Sequence, residues 1–187
     1  MSGEPSFNPA PIMEHFEAAI EDLGTSHGIH VFAVPPDRIV EFCRFLKDHP
    51  ALQFNFLSDI CGVDHYPEMP RFEAVYHLYS LPKKWRVRIK CHLGDPPRVP
   101  SVTGVWRTAN WHEREAWDMY GITFEGHPDL RRIYMWEGFE GFPQRKDFPL
   151  RGYKDTLNPF GAEGPPPTTP DIATRDIPQG GRLTPEH

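Results

Sequence analysis

Strict alternation of hydrophobic and polar residues over positions 84–93 is the clearest pattern in the chain. The apolar set is Trp85, Val87, Ile89, Cys91 and Leu93, and the intervening set is Arg86, Arg88, Lys90 and His92. A period of two places these sets on opposite faces of a β-strand, one buried and one exposed. The β-leaning segment 71–80 precedes it across the short link 81–83, which predicts that the two strands pair antiparallel.

Apolar residues at helical spacing predict three helices. The first covers residues 12–23 and ends at Gly24. The second begins at the two prolines before Asp37 and ends before Pro50. The third covers roughly 102–120, with an N-cap at Ser101 or Thr103 and Gly121 directly after its last turn.

Two further short segments, 30–34 and 54–64, favour β-strands. The predicted order along residues 1–120 is therefore α-β-α-β-β-β-α, which indicates an α+β domain with helices packed on a mostly antiparallel sheet. A domain of about 120 residues is large enough to bury a sizeable hydrophobic core.

The composition changes after Tyr120. Residues 121–187 are about a third of the chain but contain 10 of its 22 prolines and 9 of its 15 glycines. Within 121–160, aromatic residues are mixed with equal numbers of acidic and basic residues, at neither a strand nor a helix period. Such a segment cannot close a core alone, so we predict an extended arm that becomes ordered against another subunit. Residues 161–187 are rich in proline and glycine, and are predicted to form a disordered tail.

Charge and cysteine content argue against several classes of protein. The net charge of −6 argues against a general nucleic-acid binder, which is usually basic. No apolar run approaches the length of a transmembrane helix, and the N-terminus lacks the basic and apolar regions of a signal peptide. The cysteines are odd in number and widely spaced, which favours free thiols in a reducing compartment; they are Cys43, Cys61 and Cys91.

Candidate chemistry is sparse. The chain has no common nucleotide-binding, hydrolase or zincin motif, and no cysteine pair at iron–sulfur or zinc spacing. His112 and Glu115, with His127, form the best set for a metal-dependent enzyme, but a second helix carrying Glu-x-x-His is missing. The favoured interpretation of the charged residues around His112 and Glu115 is a charged helix face or a cluster of ion pairs at an interface. Arg114 and Asp118 can pair within this helix or across an interface, and their spacing leaves both open.

The basic run from Lys83 to Lys90 is interpreted first as a solvated sheet face. The functional alternative is docking onto an acidic partner. RNA binding would need aromatic side chains on the same face for bases to stack on, whereas the alternation places Trp85 on the opposite face.

The segment WHEREAWDMYGITFEGHPDLRRIY, residues 111–134, resembles the signature of the 30-kilodalton subunit (the C-type subunit) of respiratory complex I, the proton-translocating NADH:quinone oxidoreductase. The segments at 54–67, 100–111 and 144–153 also resemble parts of this family, so the resemblance covers roughly 30–155. The residues that it assigns to the family motif and to subunit contacts are Glu113, Arg114, Glu115, Asp118, Gly121, His127, Pro128, Asp129, Arg131, Arg132, Arg145, Lys146 and Asp147.

This resemblance implies a scaffold subunit without catalytic, cofactor-binding or metal-binding residues of its own. FMN, iron–sulfur clusters, NADH and quinone would be bound by other subunits, and the complex would couple electron transfer from NADH to quinone with proton translocation. The expected partners are the large hydrogenase-like D-type subunit and the cluster-bearing B-type subunit. The expected location is the cytoplasmic face of the bacterial inner membrane, with membrane contact only through the complex. Equivalent subunits of membrane-bound hydrogenases and ferredoxin:quinone oxidoreductases share much of the motif and remain the alternative.

Overall fold

A five-stranded sheet forms the centre of the protein in a computed structural model that describes residues 7–154 and 161–162. Its strands are β1 (Glu21–Ser26), β2 (Ile29–Ala33), β3 (Phe56–Asp64), β4 (Phe72–Ser80) and β5 (Trp85–Leu93). They stand in the order β1-β2-β5-β4-β3, and all neighbours are antiparallel except β2 and β5, which run parallel. The prediction of a mostly antiparallel sheet is therefore confirmed.

Three helices place their buried residues on one face of this sheet: α1 (Ala10–Phe16), α2 (Ile39–Asp48) and α3 (Ala109–Tyr120). The core combines alternate strand residues such as Tyr76 and Ile89 with helix residues such as Phe42 and Trp117. The opposite side of the sheet, which we call the outer face, carries the intervening residues of β4 and β5. The described part of the chain is thus an α+β fold, as predicted.

The alternation over residues 84–93 is confirmed in β5, whose buried residues are Val87, Ile89, Cys91 and Leu93. This strand pairs antiparallel with β4, with Ala74 opposite Cys91 and Tyr76 opposite Ile89. All three cysteines are free thiols, as predicted. Burial raises the pKa of the Cys91 thiol to about 12, so it packs as a small apolar side chain.

The first helix is shorter than predicted, and the strand that follows it was not predicted. Glu17, with a φ of +46°, ends α1, and the chain becomes extended at Ile20 after a short 3₁₀ turn. Residues 21–26 form β1 instead of the end of the helix. A two-residue turn at His27 and Gly28, both with positive φ, pairs β1 with β2. Turns of this geometry match the twist of a hairpin, so local turn chemistry outweighs the helical spacing of apolar residues.

The third helix begins later than predicted. Residues 101–108 form turns instead of helix. Ser101 is not an N-cap, because its hydroxyl donates to the Glu113 carboxylate at 2.6 Å and accepts a hydrogen bond from the Thr103 amide at 3.2 Å. The end of the helix is as predicted: Gly121 follows α3 with a φ of +74°, and its amide donates to the Trp117 carbonyl.

A second sheet, with two strands, brings together the chain segments that come before and after α3. Its strands, β6 (Arg98–Pro100) and β7 (Thr123–Glu125), pair in parallel and were not predicted. The helix α3 is therefore the crossover between two parallel strands. This arrangement fixes both ends of α3 and directs the chain after β7 back over the helix.

Residues 126–154 contain no helix and no strand beyond a single bridge at Tyr153. They contact α3 and the turn between β3 and β4 through the hydrogen bonds described below. The predicted tail, 161–187, lies outside the described residues except for 161 and 162. The division of the chain into domain, arm and tail stays a prediction.

The last turn of α3 lies directly on the backbone of β3. A Cβ added at Gly62 would lie 2.5 Å from Cδ2 of Tyr120 and 3.1 Å from Cδ1 of Ile122. Protein interiors are close-packed, so a contact that short requires the ring or the backbone to move. Gly62 therefore permits the close approach of α3 to the edge strand β3.

We expect Gly62→Ala to lower the free energy of unfolding by about 1–3 kcal/mol, as overpacking does in a well-packed core. Urea denaturation followed by tryptophan fluorescence measures the change. Gly94→Ala is the matched control, since nothing lies within 4 Å of a Cβ added there. Equal losses in both variants would contradict the close approach of helix and strand.

Candidate functional site

The motif residues lie on a side of α3 that is covered by the chain itself. At about 100° per residue, Trp111, Arg114, Glu115 and Asp118 fall within an arc of about 100°. The opposite side of the helix faces the core through Ala109, Ala116 and Trp117. Asp118 is nevertheless 0% exposed and Arg114 only 5% exposed. Both are buried because residues after β7 bind across this outer side of the helix.

Asp118 anchors the segment that follows β7. Its Oδ2 accepts hydrogen bonds from three successive backbone amides, those of Ile133 at 3.0 Å, Tyr134 at 2.7 Å and Met135 at 3.1 Å. Its Oδ1 accepts one from Nη1 of Arg132 at 2.6 Å. Burial tends to raise the pKa of Asp118, but these four donors outweigh it and lower the pKa below its ordinary value. The carboxylate is therefore ionised at neutral pH.

Arg132 connects Asp118 to the next turns of the chain. Its Nη1 also donates to the Asp118 carbonyl at 3.2 Å, and its Nη2 donates to the carbonyls of Phe139 and Gly141, each at 3.0 Å. The guanidinium lies 5.4–5.5 Å from the centres of three aromatic rings, those of Trp117, Phe139 and Phe142. One arginine thus holds residues 132–142 against α3.

Arg114 does not pair with Asp118. Its Nε donates to the Arg131 carbonyl at 3.1 Å and its Nη2 to the Arg132 carbonyl at 3.4 Å, while the guanidinium lies over the Trp111 ring at 4.8 Å. Burial, together with the charge of Arg131, lowers the pKa of Arg114. Within the chain, therefore, the two motif residues do not pair with each other, and both bind the segment after β7, at different points.

Glu113 holds the loop that leads into α3. It is fully buried, and its carboxylate accepts hydrogen bonds from the Ser101 hydroxyl at 2.6 Å and the Val102 amide at 2.7 Å. Burial raises the pKa of Glu113 to about 7 in spite of these two donors. Glu113, the first acid of the motif, therefore supplies the hydrogen-bond acceptors for residues 101 and 102, which lie in the non-helical stretch between β6 and α3.

His127 holds the loop that leaves β7. Its Nε2 donates to the Asn110 carbonyl at 3.1 Å and lies 4.0 Å from the Glu113 carboxylate, and its Nδ1 accepts a hydrogen bond from the Asp129 amide at 3.0 Å. A ring that donates from one nitrogen and accepts at the other is neutral. Burial agrees with this, because it lowers the pKa of His127.

A second carboxylate, Asp64 at the end of β3, anchors the later part of the segment. It accepts hydrogen bonds from Nε and Nη2 of Arg71, each at 2.9 Å, and from the Lys146 amide at 2.8 Å. Nη2 of Arg71 also lies 2.8 Å from the Asp147 carboxylate. Burial opposes the charge on Asp64, but Arg71 and the amide donors outweigh it and lower its pKa to about 2.

Sequence reasoning missed Asp64 and Arg71 as site residues. The only available signal was an acid at the end of an apolar strand, followed by an arginine across a proline-containing turn. The predicted residues Lys146 and Asp147 lie at this contact, so the structure brings them to β3 and β4.

Arg145 is buried between α3 and the sheet. Its Nε donates to the Tyr120 carbonyl at 2.7 Å, and its guanidinium lies over the rings of Phe72 and Phe142 at 4.7 and 4.4 Å. Burial and the charge of Arg71 lower its pKa to about 10. Gly121 provides the space, because a Cβ there would lie 2.5 Å from Nη2 of Arg145.

The remaining predicted site residues lie nearer the surface. Asp129 and Arg131 form an exposed ion pair at 2.9 Å next to Pro128, which is also exposed. Glu115 is half-buried and makes no hydrogen bond or ion pair with a residue that the structure describes.

The residues proposed for a metal site are not brought together. His112 lies 3.3 Å from Asp59 on β3, whereas His127 lies beside Glu113. Among residues 7–154 and 161–162, no group of three or more His, Cys, Asp or Glu side chains is placed to hold a metal ion.

Comparison with known proteins identifies the family. Residues 32–154 match the family model for the respiratory-chain NADH dehydrogenase, 30 Kd subunit. The chain belongs to this family. The matched range contains α3, the segment bound to Asp118 and the contact of Asp64 with Arg71, so the family extends over the whole site.

Two relatives match over nearly the full length of the chain. It is 87% identical over 186 residues to the NADH-quinone oxidoreductase subunit designated C 2 of Rhizobium etli (strain CIAT 652), covering 100% of both chains. It is 80% identical over 182 residues to the protein of the same name in Rhizobium meliloti (strain 1021), covering 97% of this chain and 100% of that one. The chain is therefore a subunit of NADH-quinone oxidoreductase, respiratory complex I, and the related complexes are disfavoured as alternatives.

A solved structure of another respiratory complex contains a similar fold. One chain of the membrane-bound sulfane sulfur reductase, an archaeal respiratory membrane complex, has a TM-score of 0.65 and 27% identity. The match covers 75% of this chain and 83% of that one. In the part of the chain with described coordinates, no helix is long and apolar enough to cross a membrane.

We expect Asp118→Asn to lower the free energy of unfolding by about 3–5 kcal/mol, because it breaks a pair whose carboxylate is fully buried and leaves the Arg132 guanidinium, only 14% exposed, without its counter-charge. Asp129→Asn is the matched control within the motif, since its pair with Arg131 is exposed and is expected to contribute no more than about 1 kcal/mol. Urea denaturation of both variants measures the difference. Similar small losses in both would show that Asp118 does not anchor the segment.

The contact at Asp64 is expected to weaken in acid. The pKa of Asp64 is about 2 in the folded protein and has its ordinary value of 3.8 in the unfolded chain. The ionised carboxylate therefore stabilises the fold fully above the unfolded pKa, and progressively less as the pH falls toward the folded pKa. Its contribution, about 1–2 kcal/mol after allowance for solvent screening, is complete above about pH 5 and is lost as the pH falls toward about 2. The difference in unfolding free energy between wild type and Asp64→Asn should therefore shrink from about pH 6 to about pH 3. A difference that stays constant or grows in acid would contradict this assignment.

Proposed function

We propose that this chain acts as a scaffold of NADH-quinone oxidoreductase, which positions neighbouring subunits and contributes no catalytic residue. With the exception of Glu115, the motif groups that could perform acid–base chemistry are engaged by the chain itself. Asp118 accepts hydrogen bonds from four donors and Glu113 from two, and both ring nitrogens of His127 are in use. These bonds fix the segments packed against α3, and a surface fixed in this way favours a role in assembly.

The surface that we propose for docking, the α3 surface, consists of Trp111, Glu115, Tyr134 and Trp136. Trp111 and Tyr134 are each 62% exposed, and Trp136 is 46% exposed. Exposed aromatics of this size are enriched in the centres of protein interfaces and often dominate their binding energy. The exposure of these three aromatic side chains, on and next to an anchored motif, is the observation that carries the proposal.

The geometry of the motif brings Trp111, Glu115 and the backbone of Tyr134 to one side of α3. Trp111 and Glu115 are four residues apart on the outer side of α3, so they are neighbours. Tyr134 is held on the same side of the helix by its amide bond to Asp118, three residues after Glu115. Arg114 stacks on Trp111 and limits the motion of its ring. A surface fixed in this way loses little entropy on binding.

The charge of Glu115 adds specificity. It is the one motif acid without a partner among the described residues. A basic side chain of a neighbouring subunit that pairs with it would select the correct partner and orientation.

We further propose that the neighbours are the large hydrogenase-like D-type subunit and the cluster-bearing B-type subunit, on the cytoplasmic face of the inner membrane. Family membership supports these partners, and the other subunits would hold FMN, the iron–sulfur clusters, NADH and quinone. In this arrangement the chain contacts the membrane only through the complex.

We expect Trp111→Ala and Glu115→Lys to reduce co-purification with a tagged large hydrogenase-like subunit by about tenfold or more, because loss of an interface aromatic removes a large share of binding energy. The thermal unfolding of each isolated variant should stay within a few degrees of wild type, as for other surface changes. NADH:quinone activity of membranes should fall in proportion to the amount of assembled complex.

Leu23→Ala is the matched control, because Leu23 is 45% exposed on β1, away from the α3 surface. Unchanged assembly of Trp111→Ala and Glu115→Lys would overturn the docking proposal. A fully assembled complex with lost activity would instead indicate a direct catalytic role for this chain.

A further inference from the structure

We propose that the outer face of the sheet binds an acidic segment of a second neighbouring protein, centred on Arg88. This site is distinct from the α3 surface. All three helices place their buried residues in the core on the opposite side of the sheet, so the outer face is formed by strands alone within the described residues. Its centre is the basic side of β5.

The outer face is built from rows of cross-strand neighbours. Strand pairing aligns Arg88 with Val31 on β2 and His77 on β4. The next row aligns Lys90 with Ala33 and Val75, and the row on the other side aligns Arg86 with Tyr79. Each basic residue therefore stands beside an apolar or aromatic neighbour on the same face.

Two of the three basic residues have no carboxylate partner within the described chain. Lys90 is paired with the buried Glu73 at 3.2 Å. Arg86 lies over the Tyr79 ring at 5.0 Å, which leaves its charge uncompensated. Arg88 forms no ion pair, and its Nε is buried with no hydrogen-bond acceptor among the described residues. A chain with a net charge of −6 thus carries a locally basic face.

The surroundings of Arg88 favour a carboxylate as its missing partner. Val31 and Val75 lie on the outer face and are only 3% and 5% exposed, so the base of this surface is apolar. Because Nε is buried, an incoming acceptor meets the terminal nitrogens of the guanidinium, and a guanidinium without an ion pair binds a two-oxygen acceptor such as a carboxylate best. Burial and the Arg88 charge lower the pKa of His77, so Arg88 and not His77 supplies the positive charge at the centre of this face at neutral pH.

The aromatic side chains distinguish an acidic protein segment from RNA. RNA-binding sheets present rings on which bases stack. Here Trp85 lies on the core side, edge to face with Phe7 at 5.6 Å, and the Tyr79 ring is occupied by Arg86. The face therefore presents guanidinium groups that can bind carboxylates, whereas the rings of Trp85 and Tyr79 are not available for bases to stack on.

Photo-crosslinking from the outer face identifies the partner in the intact complex. The full chain would carry p-benzoylphenylalanine in place of Tyr79, and crosslinked peptides would be identified by mass spectrometry. We expect a crosslink to another protein at a segment that contains Asp or Glu. A crosslink to RNA, to lipid or to this chain itself, or no crosslink, would overturn the proposal.

A charge reversal tests the central residue. With the tagged complex washed from about 50 to about 300 mM salt, Arg88→Glu should reduce the retained amount of this chain by about 30-fold, because a close charge pair is replaced by repulsion. Arg88→Lys, which keeps the charge without the bidentate geometry, should give an intermediate loss.

Arg44→Glu is the matched control, an equal charge change at an exposed position of α2. Retention of Arg88→Glu equal to that of Arg44→Glu would overturn the proposal. If Arg88→Glu does not fold, the crosslinking result with native Arg88 still decides. The α3 surface is intact in all these variants, so their outcome is separate from that of Trp111→Ala and Glu115→Lys.

Discussion

The buried carboxylate of Asp118 is the interaction on which the rest of the site depends. An ionised group away from water is stable only when donors surround it, and its four donors all come from residues 132–135. Burying this single charge on the outer side of α3 therefore requires the chain after β7 to cross the helix. The positions of Tyr134 and of the Arg132 guanidinium follow from that crossing, and with them the shape of the proposed docking surface.

A second buried carboxylate anchors the later end of the segment. Asp64 closes β3 and accepts the Lys146 amide together with two nitrogens of Arg71. A stretch without helix or strand has backbone groups that no ladder satisfies, and side-chain carboxylates supply the missing acceptors. Residues 126–154 are thus fastened at two points, with Arg145 packed between them. The irregular segment becomes part of the folded unit through charged residues more than through a hydrophobic core.

The parts of the fold that the sequence predicted are those set by local periodicity. The alternation in β5 and the apolar stripe of α2 identify their own elements, because burial follows directly from the spacing. The end of α1 and the start of α3 could not be predicted in this way. The first depends on a turn at His27 and Gly28, and the second on Glu113, which binds residues 101 and 102 across a loop.

The sequence singled out most residues of the candidate site but not their bonds, and their role in subunit contacts stays a prediction. The spacing of Arg114 and Asp118 suggested a pair, yet each binds a segment that has no period and whose path depends on β7. The same lack of period led to the prediction of an arm ordered by another subunit, although residues 132–147 make many of their polar contacts within the chain. Asp64 and Arg71 were missed because their role depends on Lys146, about eighty positions later.

Hydrogen exchange at the amides of Ile133, Tyr134 and Met135 in the isolated chain is the most direct measurement of this account. If Asp118 anchors the segment without a partner, these three amides are protected before assembly, and their exchange is slower than that of an unstructured peptide by at least about a hundredfold. Exchange at the unstructured rate in the isolated chain, with protection only in the assembled complex, would contradict it and show that the neighbouring subunit orders the segment.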